Sequence, residues 1–172
     1  MIEKIVSGGQ TGVDRAALDV AIHLGIPHGG WCPQGRRAED GPLEPIYRLQ
    51  ETESTNYAER TEKNVVDSDG TLILHAGPLS GGTLLTLQLA QRHSKPCLAV
   101  DLAKLPPQPA SSEQNPLTAS RWIRDYGIET LNVAGPREST SPGIGELARR
   151  FLFSLFDTFR EPDCEVNLED VP

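Results

Sequence analysis

Short apolar runs alternate with helix-spaced segments along most of this 172-residue chain, and that alternation limits the possible folds more than any other feature. Residues 2–7 read as a short buried strand, broken by Gly8-Gly9-Gln10-Thr11-Gly12. Beyond Val13, the residues Ala16, Ala17, Val20, Ala21 and Leu24 recur at helical spacing, and Gly25 closes that helix. Brief strands are expected at 26–31 and 46–51, on either side of a loop (33–45) rich in proline and glycine. A helix over 56–67 places Tyr57 and Val65 or Val66 on its inner side. The Gly70–His75 run, Gly-Thr-Leu-Ile-Leu-His, is the clearest central strand. After a second break at 77–82 come a helix (83–93), a strand (96–100), a surface loop (105–112), a helix (115–126), a strand (129–134) and a helix (142–159). Parallel neighbours need crossover connections, which the helices supply. The expected fold is therefore α/β, a single Rossmann-like three-layer α/β/α domain over residues 1–160 with a mostly parallel sheet. An acidic tail, 161–172, follows it.

Two strand ends carry paired glycines followed at once by a helix. In open α/β sheets, ligands bind beyond the carboxyl ends of the strands. Glycine lets the backbone turn sharply and approach a ligand, and a helix N-terminus offers unpaired N–H groups to an anion. The first such turn holds Gly8, Gly9, Gln10, Thr11 and Gly12, and the second Ser80, Gly81, Gly82 and Thr83. Each could equally be a tight strand–helix turn with no ligand. The chain has neither a G-x-x-x-x-G-K-[ST] P-loop nor a full G-x-G-x-x-G, so the ordinary ATPase and nicotinamide-dehydrogenase signatures are missing.

Arginines offer candidate partners for a phosphate, because guanidinium chelates an oxyanion in a fork that lysine cannot copy. Arg15 follows the first turn, Gly35, Arg36 and Arg37 occupy the proline-rich loop, and Arg60 lies on the helix after it, with Asn64 one turn on. Asp14, Asp40 and Glu51 are candidate acid–base groups. Asp14 is also well placed to favour the N-terminus of its helix. The three cysteines (Cys32, Cys97, Cys164) have no metal-binding spacing and read as reduced thiols, and no metal site is expected. His23, His28, His75 and His93 show no ligand spacing either.

The charge balance narrows the partners. With 16 Lys and Arg against 24 Asp and Glu, the net charge of -8 argues against a nucleic-acid partner or an anionic membrane. Met1-Ile2-Glu3-Lys4 leads directly into a strand, with no charged segment followed by an apolar one, and no apolar run approaches the ~20 residues needed to span a bilayer. The expectation is a cytoplasmic protein binding a small phosphate-bearing ligand. The apolar face of the last helix (Phe151, Leu152, Phe153, Leu155, Phe156) is core or a homo-oligomer contact.

The series from Gly8 to Asp19 and from Pro33 to Gly41 resembles the molybdenum carrier family. The match continues through Glu51-Thr52, Tyr57, Arg60-Thr61, Asn64, Asp67 to Thr71, and Ser80 to Thr83. By resemblance that family shares the Rossmann-like fold of the cytokinin-activating phosphoribohydrolases, the LOG or "lysine decarboxylase-like" proteins. The resemblance implies binding of molybdenum cofactor (molybdopterin, a pterin bearing a phosphate) or of a nucleotide. A carrier must grip the phosphate and shield the pterin, without catalytic residues. The alternative is a nucleotide-processing enzyme, cleaving an N-glycosidic or phosphate bond. The phosphoribohydrolase pattern P-G-G-x-G-T-x-x-E, however, is replaced here by Ser80-Gly81-Gly82-Thr83-Leu84-Leu85-Thr86, and its glutamate is missing.

Overall fold

A computed structural model of the chain describes residues 2–104 and 116–160; the expected loop at 105–112 and the acidic tail at 161–172 lie outside them. The first half runs β1 (Lys4–Val6), α1 (Val13–Leu24), β2 (His28–Gly29), β3 (Trp31–Cys32), β4 (Arg37–Ala38), β5 (Gly41–Pro42), β6 (Gln50–Glu51) and α2 (Tyr57–Val66). The second half runs β7 (Gly70–His75), α3 (Gly81–Arg92), β8 (Cys97–Asp101), a 3-10 turn (Leu102–Lys104), α4 (Pro116–Asp125), β9 (Thr130–Ala134) and α5 (Ile144–Asp157). The fold is the expected Rossmann-like α/β arrangement. Its central sheet has the order β2-β1-β9-β7-β8, and every neighbouring pair is parallel.

Two departures from expectation lie around the proline-rich loop. The strand expected over 26–31 is divided at Gly30, so that β2 joins the main sheet while β3 pairs in parallel with β6. The loop itself contains the two-residue antiparallel hairpin β4–β5. On α2, Val65 is buried as expected, whereas Tyr57 and Val66 are exposed, at 44% and 42%. Tyr57 is the first residue of α2, and it is not packed into the core.

The two faces of the sheet differ. Ile5, Leu72, Leu74, Leu131 and Val133 pack with the inner sides of α1, α4 and α5 into the main apolar core. Phe151, Leu152, Leu155 and Phe156 belong to that core, which accounts for the apolar face of α5. The face toward α2 and α3 is more polar. Its buried Asn132 and Thr71 are paired, Asn132 Nδ2 donating to Thr71 Oγ1 at 3.2 Å. A satisfied polar group can remain inside at little cost.

Because the strands are parallel, all their carboxyl ends share one edge. α3 begins where β7 ends, and α2 runs down to the start of β7, so both helices point their N-termini at that edge. Numbered from β7, the strand order becomes 2-1-3-4-5, one of the common doubly wound arrangements, with its switch point between β7 and β9. The chain therefore enters this arrangement at its fourth strand.

Candidate functional site

A cleft of about 330 Å³ lies at the switch point, above the carboxyl ends of β1, β9 and β7. Both glycine turns reach it. Gly8 and Gln10 come from the first, and Ser80, Gly81, Gly82 and Thr83 from the second. α1 contributes Asp14, and α2 contributes Tyr57, Arg60 and Asn64.

The two turns differ in what surrounds their glycines. A Cβ on Gly8 would stand 1.2 Å from Arg60 Nη1, and one on Gly12 would stand 2.4 Å from the Pro136 carbonyl oxygen. The first turn is thus packed against the protein itself. Gln10 turns its carboxamide inward, accepting from Thr11 N at 3.0 Å and Glu39 N at 2.9 Å. By contrast, a Cβ on Gly81 or Gly82 would meet nothing within 4 Å. The Ser80 side chain makes no capping hydrogen bond, and the first turn of α3 has no acidic residue.

Asp14 and Arg60 form a buried ion pair, 2.9 Å from Nη1 to Oδ2, with side chains only 4% and 14% exposed. The Asp14 carboxylate also accepts from the main chain at Gln10 and Gly135, and so ties the ends of β1 and β9 together. Burial nevertheless pushes its pKa above the ordinary 3.8, against the opposing pull of Arg60 and the two amides. Arg60 Nε is buried and finds no acceptor. An orphaned donor on a charged group is costly, so this guanidinium is only partly satisfied by the protein. Asn64 lines the cleft, but its amide is engaged with the main chain of Trp31, accepting from N at 2.8 Å and donating to O at 3.0 Å.

The remaining candidates of the sequence do not converge on the cleft. Gly9 faces Leu43 and Leu49. Thr11 is bonded to Glu39, and Arg15 holds Asp40 through two hydrogen bonds of 3.1 Å. Arg36 donates to the carbonyl oxygens of Leu43, Glu44, Tyr47 and Leu49, stitching the loop to itself. Gly35 N donates to Glu51 at 2.6 Å, and Arg37 is exposed on the hairpin. The expected convergence of the arginine loop with the glycine turns is therefore corrected to Arg60 alone. Of the acid–base candidates, only Asp14 lies in the cleft. Asp40 and Glu51 are loop fasteners.

Among the cleft residues that the sequence does not single out as candidates are His75, Asn132, Gly135 and Arg137. Gly135-Pro136 directly after β9 is a third strand-end break, a signal that gains weight only once β9 is known to lie mid-sheet. At the position of the missing LOG glutamate, Thr86 is buried and donates its hydroxyl to Gly82 O at 2.9 Å.

The sequence matches the model of the circularly permutated YpsA SLOG family over residues 5–156. The chain belongs to that family. A strand order that becomes regular when counted from β7 is what a permuted chain produces. Among solved structures, a Syntrophus aciditrophicus SB protein named "Putative molybdenum carrier protein" is 45% identical, with a TM-score of 0.81 over 90% of this chain and 94% of its own. (E)-4-hydroxy-3-methyl-but-2-enyl diphosphate reductase aligns with 94% of this chain and 59% of its own at 11% identity and a TM-score of 0.35, too remote to inform fold or function. No curated protein sequence matches. Among the described residues of this SLOG-family chain, no helix is long and apolar enough to cross a membrane.

Proposed function

We propose that this protein is a carrier that holds molybdenum cofactor, or a related nucleotide, in the cleft, with the ligand's phosphate on the N-terminus of α3. The observation that carries this reading is the open first turn of that helix. The N-termini of α1, α2 and α5 are already engaged by the protein. In α2, Asn56 accepts from Ala58 N at 3.0 Å, and in α1, Val13 N donates to Pro136 O at 3.2 Å. In α5, the Glu138 carboxylate takes Gly143 N and Gly145 N. In the first turn of α3, Thr83 N and Leu84 N donate back to Ser80 O at 3.2 Å, which leaves Gly81 N and Gly82 N, uncovered by any Cβ, to an anion outside the chain.

Charge supports the same reading. Arg60 and Arg137 line the cleft against one carboxylate, Asp14, which is itself tied to Arg60. Among the described residues no group of three or more His, Cys, Asp or Glu could hold a metal ion. The protein would grip the organic part of the ligand, and molybdenum would travel as part of that cargo. The relative named as a molybdenum carrier agrees with this role. A hydrolase using Asp14, Asp40 or Glu51 as its acid or base is disfavoured, because Asp14 is enclosed by its partners and neither Asp40 nor Glu51 lines the cleft.

Gly82→Leu tests the proposal, because its Cβ enters open space at a position without positive φ. The variant should keep the wild-type urea midpoint yet bind molybdenum cofactor, and AMP as a simpler probe, about tenfold more weakly, a difference of about 1.4 kcal/mol. Equilibrium dialysis measures both ligands. Wild-type protein that binds neither, or a variant that binds as tightly as wild type, would overturn the reading.

A further inference from the structure

Tyr57 has no evident structural duty for so large a side chain. It is 44% exposed, it lines the cleft, and among the described residues its hydroxyl makes no hydrogen bond that would explain its place. It also stands one helical turn before Arg60, and residues three apart share a helix face. The Arg60 guanidinium lies over its ring, with Cζ 5.8 Å from the centroid. Arg60 is in turn pinned by Asp14, so the ring is buttressed on one face by a fixed neighbour.

The cleft around Tyr57 divides by polarity. Amides, hydroxyls and guanidinium groups come from the strand ends and the first turn of α3. Ala58, Pro78, Leu79 and Leu85 supply apolar surface to the same cavity. A bare tetrahedral oxyanion would use the first set and leave the second, with the exposed tyrosine, unexplained. A volume of about 330 Å³ is at the small end for ligand cavities, suited to one ring with one phosphate rather than to a dinucleotide.

We infer that Tyr57 is a ring-stacking platform, and that the ligand class of this cleft is a phosphate ester carrying a planar aromatic ring rather than a free oxyanion. The inference rests on the phosphate-binding reading above and deepens it. Flat heteroaromatic rings stack on tyrosine largely irrespective of their edge pattern, so a purine and a pterin are both admitted. Specificity between them falls to polar groups elsewhere in the cleft.

Calorimetric titration with AMP and ribose 5-phosphate tests this in wild type, Tyr57→Ala and Tyr57→Trp. Wild type should bind AMP about tenfold more tightly than ribose 5-phosphate. Tyr57→Ala should abolish that preference while leaving ribose 5-phosphate affinity unchanged, and Tyr57→Trp should retain it. Equal affinity for the two probes in wild type would overturn the stacking role and leave the phosphate site standing. Equal losses for both probes in Tyr57→Ala would also overturn it, because the residue would then act through Arg60. If neither probe binds, the stacking inference falls, and the carrier reading falls with it only if molybdenum cofactor also fails to bind.

Discussion

Replacing Gly8 with alanine is a sharp test of how the cleft is built. The new Cβ would stand 1.2 Å from Arg60 Nη1, 2.3 Å from Arg60 Cζ and 2.8 Å from Asp14 Oδ2. Gly8 does not have a positive φ, so the backbone accepts alanine and the side chain of Arg60 must leave. Its departure breaks a buried ion pair, which costs about 3–5 kcal/mol when one partner is left uncompensated. Asp14 keeps the main-chain amides of Gln10 and Gly135, which places the expected loss near the lower end, about 3 kcal/mol. For a chain of this length that is a fall in melting temperature of roughly 6–12 °C.

Urea denaturation of wild type, Gly8→Ala, Arg60→Ala and the double variant measures it as a cycle. With Arg60 already truncated, the two nearest obstacles to the new methyl group are gone, and Gly8→Ala should then cost under about 1 kcal/mol. The coupling should be about 2 kcal/mol or more. Additivity within about 0.5 kcal/mol would refute the claim that Gly8 is required by the approach of Arg60.

Three further outcomes follow from the same geometry. Arg36→Met removes donors to four carbonyl oxygens and should lower stability by about 3 kcal/mol, while AMP affinity measured on the folded variant changes less than about twofold. A large loss of affinity with little loss of stability would return Arg36 to the ligand. Burial raises the native pKa of Asp14 above 3.8, so its contribution to stability is full below that pH and is lost as pH rises through the native value. The stability of wild type minus that of Asp14→Asn should accordingly decline with rising pH and then level off, as urea midpoints across pH 3.5–8 would register; a rising difference would contradict it. Burial also lifts the Cys97 thiol to about 11, so at pH 8 its thiolate fraction is about a hundredfold below that of a thiol at the ordinary 9.0. In a Cys164→Ser variant, a disulfide reagent should accordingly react slowly with the folded protein and quickly once urea unfolds it; rapid labelling of Cys97 in the native state would contradict the assignment.

Much of the architecture was legible in the chain, because it rests on local signals. The β-branched run of Gly70–His75, the helical recurrence after Val13 and the glycine breaks are properties of neighbouring residues, and the structure reproduces all three. The second glycine turn was also readable as a strand–helix break, since Gly81 and Gly82 lie together in sequence, but only the structure separates its open glycines from the packed ones of the first turn. Tyr57 was misplaced for an understandable reason. Helical periodicity cannot say whether the first residue of a helix faces a neighbour or a cavity, and only the docking of α2 beside α3 at the strand ends decides it.

What the sequence determined alone was the alternation of strands and helices and the conformational licence of its glycines, which depend on residues a few positions apart. Tertiary structure decided strand order, because β9 enters between β1 and β7 through contacts distant along the chain, and with it the position of the cleft. It also separated arginines of identical chemistry. Arg36 is surrounded by carbonyl oxygens of its own loop, whereas Arg60 meets a carboxylate from β1's helix and retains an unpaired donor. A guanidinium reaches whatever acceptors the fold brings within about 3 Å, and sequence spacing carries no record of that distance.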